Sequence, residues 1–252
     1  MGRIFLANVG ANSSHSFTSP IFEDGTFEFL PIPENPLIEG QHVVQYRTIK
    51  PYNIHISNLL QFVPMKLWGT PAHNDPEFET FTYGDNCSTN PRASGLKALN
   101  PGDNLFFLTN LRSWKDGEAT STHGFYLIGF LEVEEVLREV ISRPSTQILK
   151  RFGKNAHVRR GLSNRKLWDL FWVFKGSDRS RRFNKAIPIT REISSKIFVD
   201  AQGYPWQWDQ LRTDLQVIGS YTRSCRCIID TQLNDHRLRA ETFQNWIRSH
   251  DV

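Results

Sequence analysis

The run Phe125-Tyr126-Leu127-Ile128-Gly129-Phe130-Leu131-Glu132-Val133 is rich in aromatic and branched side chains, which suit a pleated strand. It is also far too short to cross a bilayer as a helix, which takes about 20 residues. A second apolar run, Asn104 to Leu111, precedes it and starts at the turn Asn100-Pro101-Gly102-Asp103. Residues 99 to 133 therefore predict adjacent strands of a curved sheet. Alternation along the first strand puts Phe106 and Phe107 on opposite faces.

The rest of the chain reads around this pair. Arg3 to Val9 is an opening strand, closed by Gly10-Ala11-Asn12-Ser13-Ser14. Glu23-Asp24-Gly25-Thr26 is a hairpin turn between Pro20-Ile21-Phe22 and Phe27-Glu28-Phe29-Leu30. Prolines 31, 33 and 36 make residues 31–40 an extended loop. Residues 69–101 are irregular, and Phe78, Phe81 and Tyr83 predict that this stretch packs onto the body. Residues 134–141 predict a short helix, 150–166 a surface loop or helix end, and 167–174 another strand. Residues 175–185 predict a basic turn, and 235–250 an amphipathic helix. No repeat or flexible linker interrupts the sequence, so one domain over residues 1–252, with insertions, is the simplest organisation.

Hydrophobic residues at 39% and charged residues at 22% are ordinary for a folded chain. The net charge of +4 hides a division. Residues 1–140 hold nine Lys/Arg against 16 Asp/Glu, leaving 21 against 10 for residues 141–252, so the halves carry −7 and +11. A basic half of this kind suits a polyanion, because Lys and Arg replace the counterions condensed along phosphates. Arg159, Arg160, Arg179, Arg181 and Arg182, within the basic segments 150–185, are the candidate phosphate contacts. The early polar residues Asn8, Asn12, Ser13, Ser14 and His15 do not suit a secretory leader. Three cysteines, Cys87, Cys225 and Cys227, do not make a disulfide framework. The expectation is a cytoplasmic protein with reduced thiols and no membrane span.

Phosphate-loop, dinucleotide, zinc-protease and nucleophile-elbow signatures are all absent. The candidate chemistry lies in the 69–97 stretch. His73, Asp75 and Glu77 would share one face if extended, and three readings of them stand side by side: an ordinary turn at Asp75-Pro76, acid/base or base-recognition work, and metal binding. Cys87 is a candidate nucleophile if Arg92 or Lys97 stabilises its thiolate. Asp85, Arg92 and Lys97, with Ser94 near them, are candidates for base binding or for a salt-linked loop surface. Trp206 and Trp208, in a loop-like segment, offer stacking faces for a base. No cofactor and no resident metal is assigned.

Leu99-Asn100-Pro101-Gly102-Asp103-Asn104-Leu105-Phe106-Phe107, followed by residues 124–133, resembles the core strands of PUA-like domains, especially the EVE and ASCH domains. Taken with Ser19-Pro20-Ile21-Phe22-Glu23-Asp24-Gly25 and His73-Asn74-Asp75-Pro76-Glu77-Phe78, most of the chain resembles the third numbered nucleotide modification-associated domain family. The resemblance implies an α+β fold, a PUA-like curved β-barrel with flanking helices and loop insertions. It also implies a nucleobase pocket, a role in DNA modification and other proteins of a modification gene cluster as partners. The expected function is binding and processing of a modified or extruded base in DNA, for example a deazaguanine derivative. A non-catalytic reader of modified DNA or RNA and a defence nuclease are the alternatives.

Overall fold

The computed structural model describes residues 2–34, 38, 40, 42–198, 225–233 and 236–250. In chain order its strands and α-helices are β1 (Ile4–Asn8), β2 (Ser19–Ile21), β3 (Ile32–Pro33), β4 (Ala72–His73), β5 (Thr82–Asp85), β6 (Asn104–Lys115) and β7 (Glu118–Val140). These are followed by α1 (Thr146–Phe152), α2 (Ala156–Ser163), β8 (Phe171–Gly176), β9 (Arg181–Pro188), α3 (Arg191–Ile197), β10 (Cys225–Ile229) and α4 (His236–Arg248). The fold is α+β. Eight strands form one strongly curled, half-barrel mixed sheet in the order β10-β1-β6-β7-β8-β5, with β2 also on β6 and β9 also on β7. β1 and β2 run parallel to β6, and every other pairing in this sheet is antiparallel. No helix among the described residues is long and apolar enough to cross a membrane.

The Pro101-Gly102-Asp103 turn starts β6 as expected. Gly102 takes φ +90°, which a side chain resists. Asp103 joins two strands, since its carboxylate accepts the Arg3 backbone N–H at 2.9 Å and the Asn100 N–H at 3.0 Å, and pairs with the Arg3 guanidinium at 2.7 Å. This fixes β1 beside β6, with Ile4 opposite Asn104. The expected hairpin also forms, with the Phe22 N–H donating to the Thr26 carbonyl at 2.9 Å.

Alternation along β6 separates two cores. Phe107 faces a core with Leu105, Leu131, Phe174 and Tyr83, whereas Phe106 faces Phe183, Ile228 and Phe243 of α4. Both phenylalanines are buried, each stabilising by about 1.5–3 kcal/mol, because helices and loops cover both faces of this strand. The rings of Phe78 and Tyr83 lie 5.8 and 5.4 Å from that of Phe107, so the stretch around Asp75 is bolted to the sheet.

Five expectations need correction. Residues 175–185 are not a single turn, because β8 runs to Gly176 and Arg181 already starts β9. Residues 134–140 continue β7 rather than forming a helix, because pairing with β8 (Val136 opposite Phe174, Leu137 opposite Val173) outweighs a local pattern that suits either state. Residues 150–166, expected as a surface loop or helix end, do contain the end of α1 but also all of α2 and most of a 3-10 turn, and Phe152, Ala156 and Val158 are buried rather than on the surface. The irregular 69–101 stretch contains β5, a full member of the sheet on β8, and the short β4. Within 31–40, Ile32–Pro33 pairs with Ala72–His73, Ile32 lying opposite His73.

Candidate active site

Three side chains meet at the end of this small ladder, two from in and just after β4 and one from α2. His73 ends β4, Asp75 follows it, and His157 lies in the first turn of α2. One oxygen of the Asp75 carboxylate and one nitrogen of each imidazole fall within 4.8 Å of one another. The His73 and His157 rings meet edge to face with centroids 4.8 Å apart.

Each member is held from behind. Oδ2 of Asp75 accepts the Gly84 N–H at 2.8 Å and an Asn155 amide N–H at 3.3 Å. Asn155 also caps α2, its Oδ1 accepting the His157 N–H at 3.0 Å, so one residue positions two members of the cluster. Nδ1 of His73 lies 2.7 Å from Oε2 of Glu34, just beyond β3. Gly84 has to be glycine here: a Cβ would lie 2.8 Å from Cδ2 of His157 and 3.0 Å from Oδ1 of Asn155.

Asp75 is 5% exposed and His157 4%. Burial pushes the Asp75 carboxyl well above its ordinary range, against the hydrogen bonds from Gly84 and Asn155 that favour its charged form. Burial, followed by the charges of His73 and Arg160, holds the His157 imidazole well below its ordinary value. Both shifts oppose charge in the cluster. Oδ1 of Asp75 and Nδ1 of His157 are buried without a hydrogen-bond partner.

Close to the cluster is an open depression lined by Glu34, Ala72, Asn74, Ala156, Arg159 and Arg160 among others, while His73, Asp75 and His157 themselves do not line it. Glu34 belongs to both, since its second oxygen lies 3.7 Å from Nε of Arg160. Arg160 also approaches Asp169 at 3.9 Å.

The other candidate residues divide. Asp85, at the end of β5, joins this neighbourhood: burial raises its pKa while His73 and Arg92 pull it down. Glu77 does not. Its carboxylate accepts the N–H groups of Glu79 and Thr80 at 2.6 and 3.0 Å and is spent on a turn. Cys87 is 2% exposed, and burial followed by Asp85 pushes its thiol up, which removes the thiolate that a nucleophile needs. Arg92 and Lys97 are exposed, Lys97 on a 3-10 turn. Arg181 is exposed, and Arg179, largely exposed, pairs with Glu132.

Arg182 is a correction. Its guanidinium lies 4.0 Å from the centroids of both Phe27 and Tyr52 and donates to the Phe27 carbonyl at 2.6 Å, so it is enclosed and unsuited to phosphate. Trp206 and Trp208 lie outside the described residues. His157, Glu34 and Asn155 were not singled out as candidates by sequence. Asn155 alone left a local signal, as a helix cap.

A family model described as nucleotide modification associated domain 3 matches residues 3–234. The chain belongs to that family, which links it to nucleic acid modification. No curated protein and no solved structure matches it.

Proposed function

We propose that this member of the nucleotide modification associated domain 3 family binds and processes a modified or extruded base in DNA, with a deazaguanine derivative as one candidate. His73, Asp75 and His157 carry the chemistry. The observation behind this reading is a buried carboxylate between two imidazoles, linked through Glu34 to a depression whose lining includes Arg159 and Arg160. A base is hidden within stacked duplex, so a protein acting on its ring must take it out of the stack. Cations lining the depression would hold the flanking phosphates while the cluster meets the base, a division in which phosphate contacts position and base contacts specify. The curled half-barrel suits the PUA-like architecture that the sequence resembles, and a cytoplasmic setting would suit the free thiols.

The experiment incubates modified duplex and single-stranded oligonucleotides with wild type, His73→Ala and Asp75→Asn, then measures binding and the nucleosides released by digestion. Normal binding with loss of base conversion in both variants is expected. Binding by wild type without any conversion would replace this reading with the non-catalytic reader. A metal-dependent nuclease acting in defence is the second reading, favoured by the same His-Asp-His set. Strand cleavage that excess chelator abolishes would establish it instead.

A further inference from the structure

We propose that His73, Asp75 and His157 form a binding site for one divalent first-row transition metal ion, of the zinc, iron or manganese kind. The inference concerns the same residues as the functional reading, but it is measured without nucleic acid, so either can fail alone.

The distances carry the argument. Nε2 of His73 lies 3.9 Å from Oδ2 of Asp75, and Nε2 of His157 lies 4.0 Å from the same oxygen. Both are too long for a hydrogen bond, for which about 3.6 Å is already excessive. Donors each about 2.1 Å from a tetrahedral ion stand about 3.4 Å apart, so both separations exceed those of an occupied site by about half an ångström. The third separation stays within 4.8 Å, so the set closes on an ion by drawing the two imidazoles and the carboxylate inward together.

Three further observations agree. Glu34 holds Nδ1 of His73 at 2.7 Å, the carboxylate-histidine arrangement that leaves Nε2 free to ligate. The Gly84 N–H and the Asn155 amide fix the Asp75 carboxylate, as the outer partners of a metal ligand do. Oδ2, the oxygen near both imidazoles, already accepts these two bonds, whereas Oδ1 is buried without a hydrogen-bond partner, so the carboxylate keeps an unsatisfied oxygen for an ion. Two imidazoles and one carboxylate select transition metals over calcium or magnesium, which take all-oxygen sets. Three protein ligands leave coordination positions for water or for a heteroatom of a substrate.

The test uses the full chain, freed of metal by chelator and titrated with Zn(II), Mn(II) and Mg(II) by calorimetry, and with Co(II) by visible absorption. One Zn(II) per chain is expected, with affinity reduced about 100-fold or more in Asp75→Asn and His157→Ala and unchanged in the control His123→Ala, which lies on the exposed surface. No binding by wild type, or equal binding by all four proteins, overturns the proposal. Should a cluster variant unfold, the Co(II) spectrum of wild type decides. Ligand-field bands without sulfur charge transfer support the site, and a thiolate band assigns the metal to cysteine and overturns it.

Discussion

Nδ1 of His73 sits 2.7 Å from Oε2 of Glu34, and this contact ties the short β3–β4 ladder to the chemistry at its end. Glu34 therefore acts through His73, as a positioning residue. Glu34→Gln keeps an acceptor at the same place but removes its charge. Zn(II) affinity should fall by about 10–100-fold while the urea midpoint stays close to wild type. An unchanged affinity would remove Glu34 from the site.

Gly84 lets the start of α2 approach β5. Gly84→Ala would place a methyl group against His157, Asn155 and the Trp172 carbonyl, the last also 3.0 Å away, and should cost about 1–3 kcal/mol in chemical denaturation. Gly102→Ala meets nothing within 4 Å and bears only the strain of its positive φ, about 1–2 kcal/mol. The two should separate by function. Gly84→Ala should impair base conversion, and Gly102→Ala should leave it intact in the folded fraction. Equal conversion by both would show that the cluster tolerates displacement.

Arg181 and Arg182 are neighbours with different environments. Arg181→Ala removes an exposed cation and should lower the salt slope of DNA binding by about 1 without changing Tm. Arg182→Ala removes the cation between Phe27 and Tyr52 and should cost about 2 kcal/mol of stability, read as a lower Tm. A stable Arg182→Ala protein with a reduced salt slope would reverse this assignment.

Glu28 gives a pH dependence. It is fully buried and accepts the N–H groups of Tyr52 and Asn53 at 3.1 and 2.6 Å, yet burial still raises its pKa above the ordinary 4.5. The folded chain keeps this proton to higher pH than the unfolded chain does, so stability falls as pH rises from 4.5 through the raised value. Glu28→Gln lacks that component. The stability of wild type relative to the variant should therefore be greater in mildly acid than in neutral urea titrations, and the opposite trend would contradict the assignment.

The β6–β7 pair was legible in sequence because its turn residues and its apolar runs agree locally. Residues 134–140 were not, since Val133, Val136, Leu137 and Val140 fit helical spacing as well as they fit a strand, and only the distant β8 decides between them. The arginines and lysines of residues 150–166 drew attention away from the caps Ser145 and Asn155 that start α1 and α2. His73 and Asp75 could be suspected from their spacing. Their meeting with His157 could not, because the Asn155–Asp75 contact that arranges it spans 80 residues of sequence and depends on how α2 docks on β5.

Base processing by this protein is read from nucleoside mass spectrometry of DNA from cells carrying wild type, Asp75→Asn or no gene. A base whose abundance changes with wild type and returns to the gene-free level with Asp75→Asn is expected. Identical nucleoside profiles in all three, with the protein present and folded, would contradict that processing.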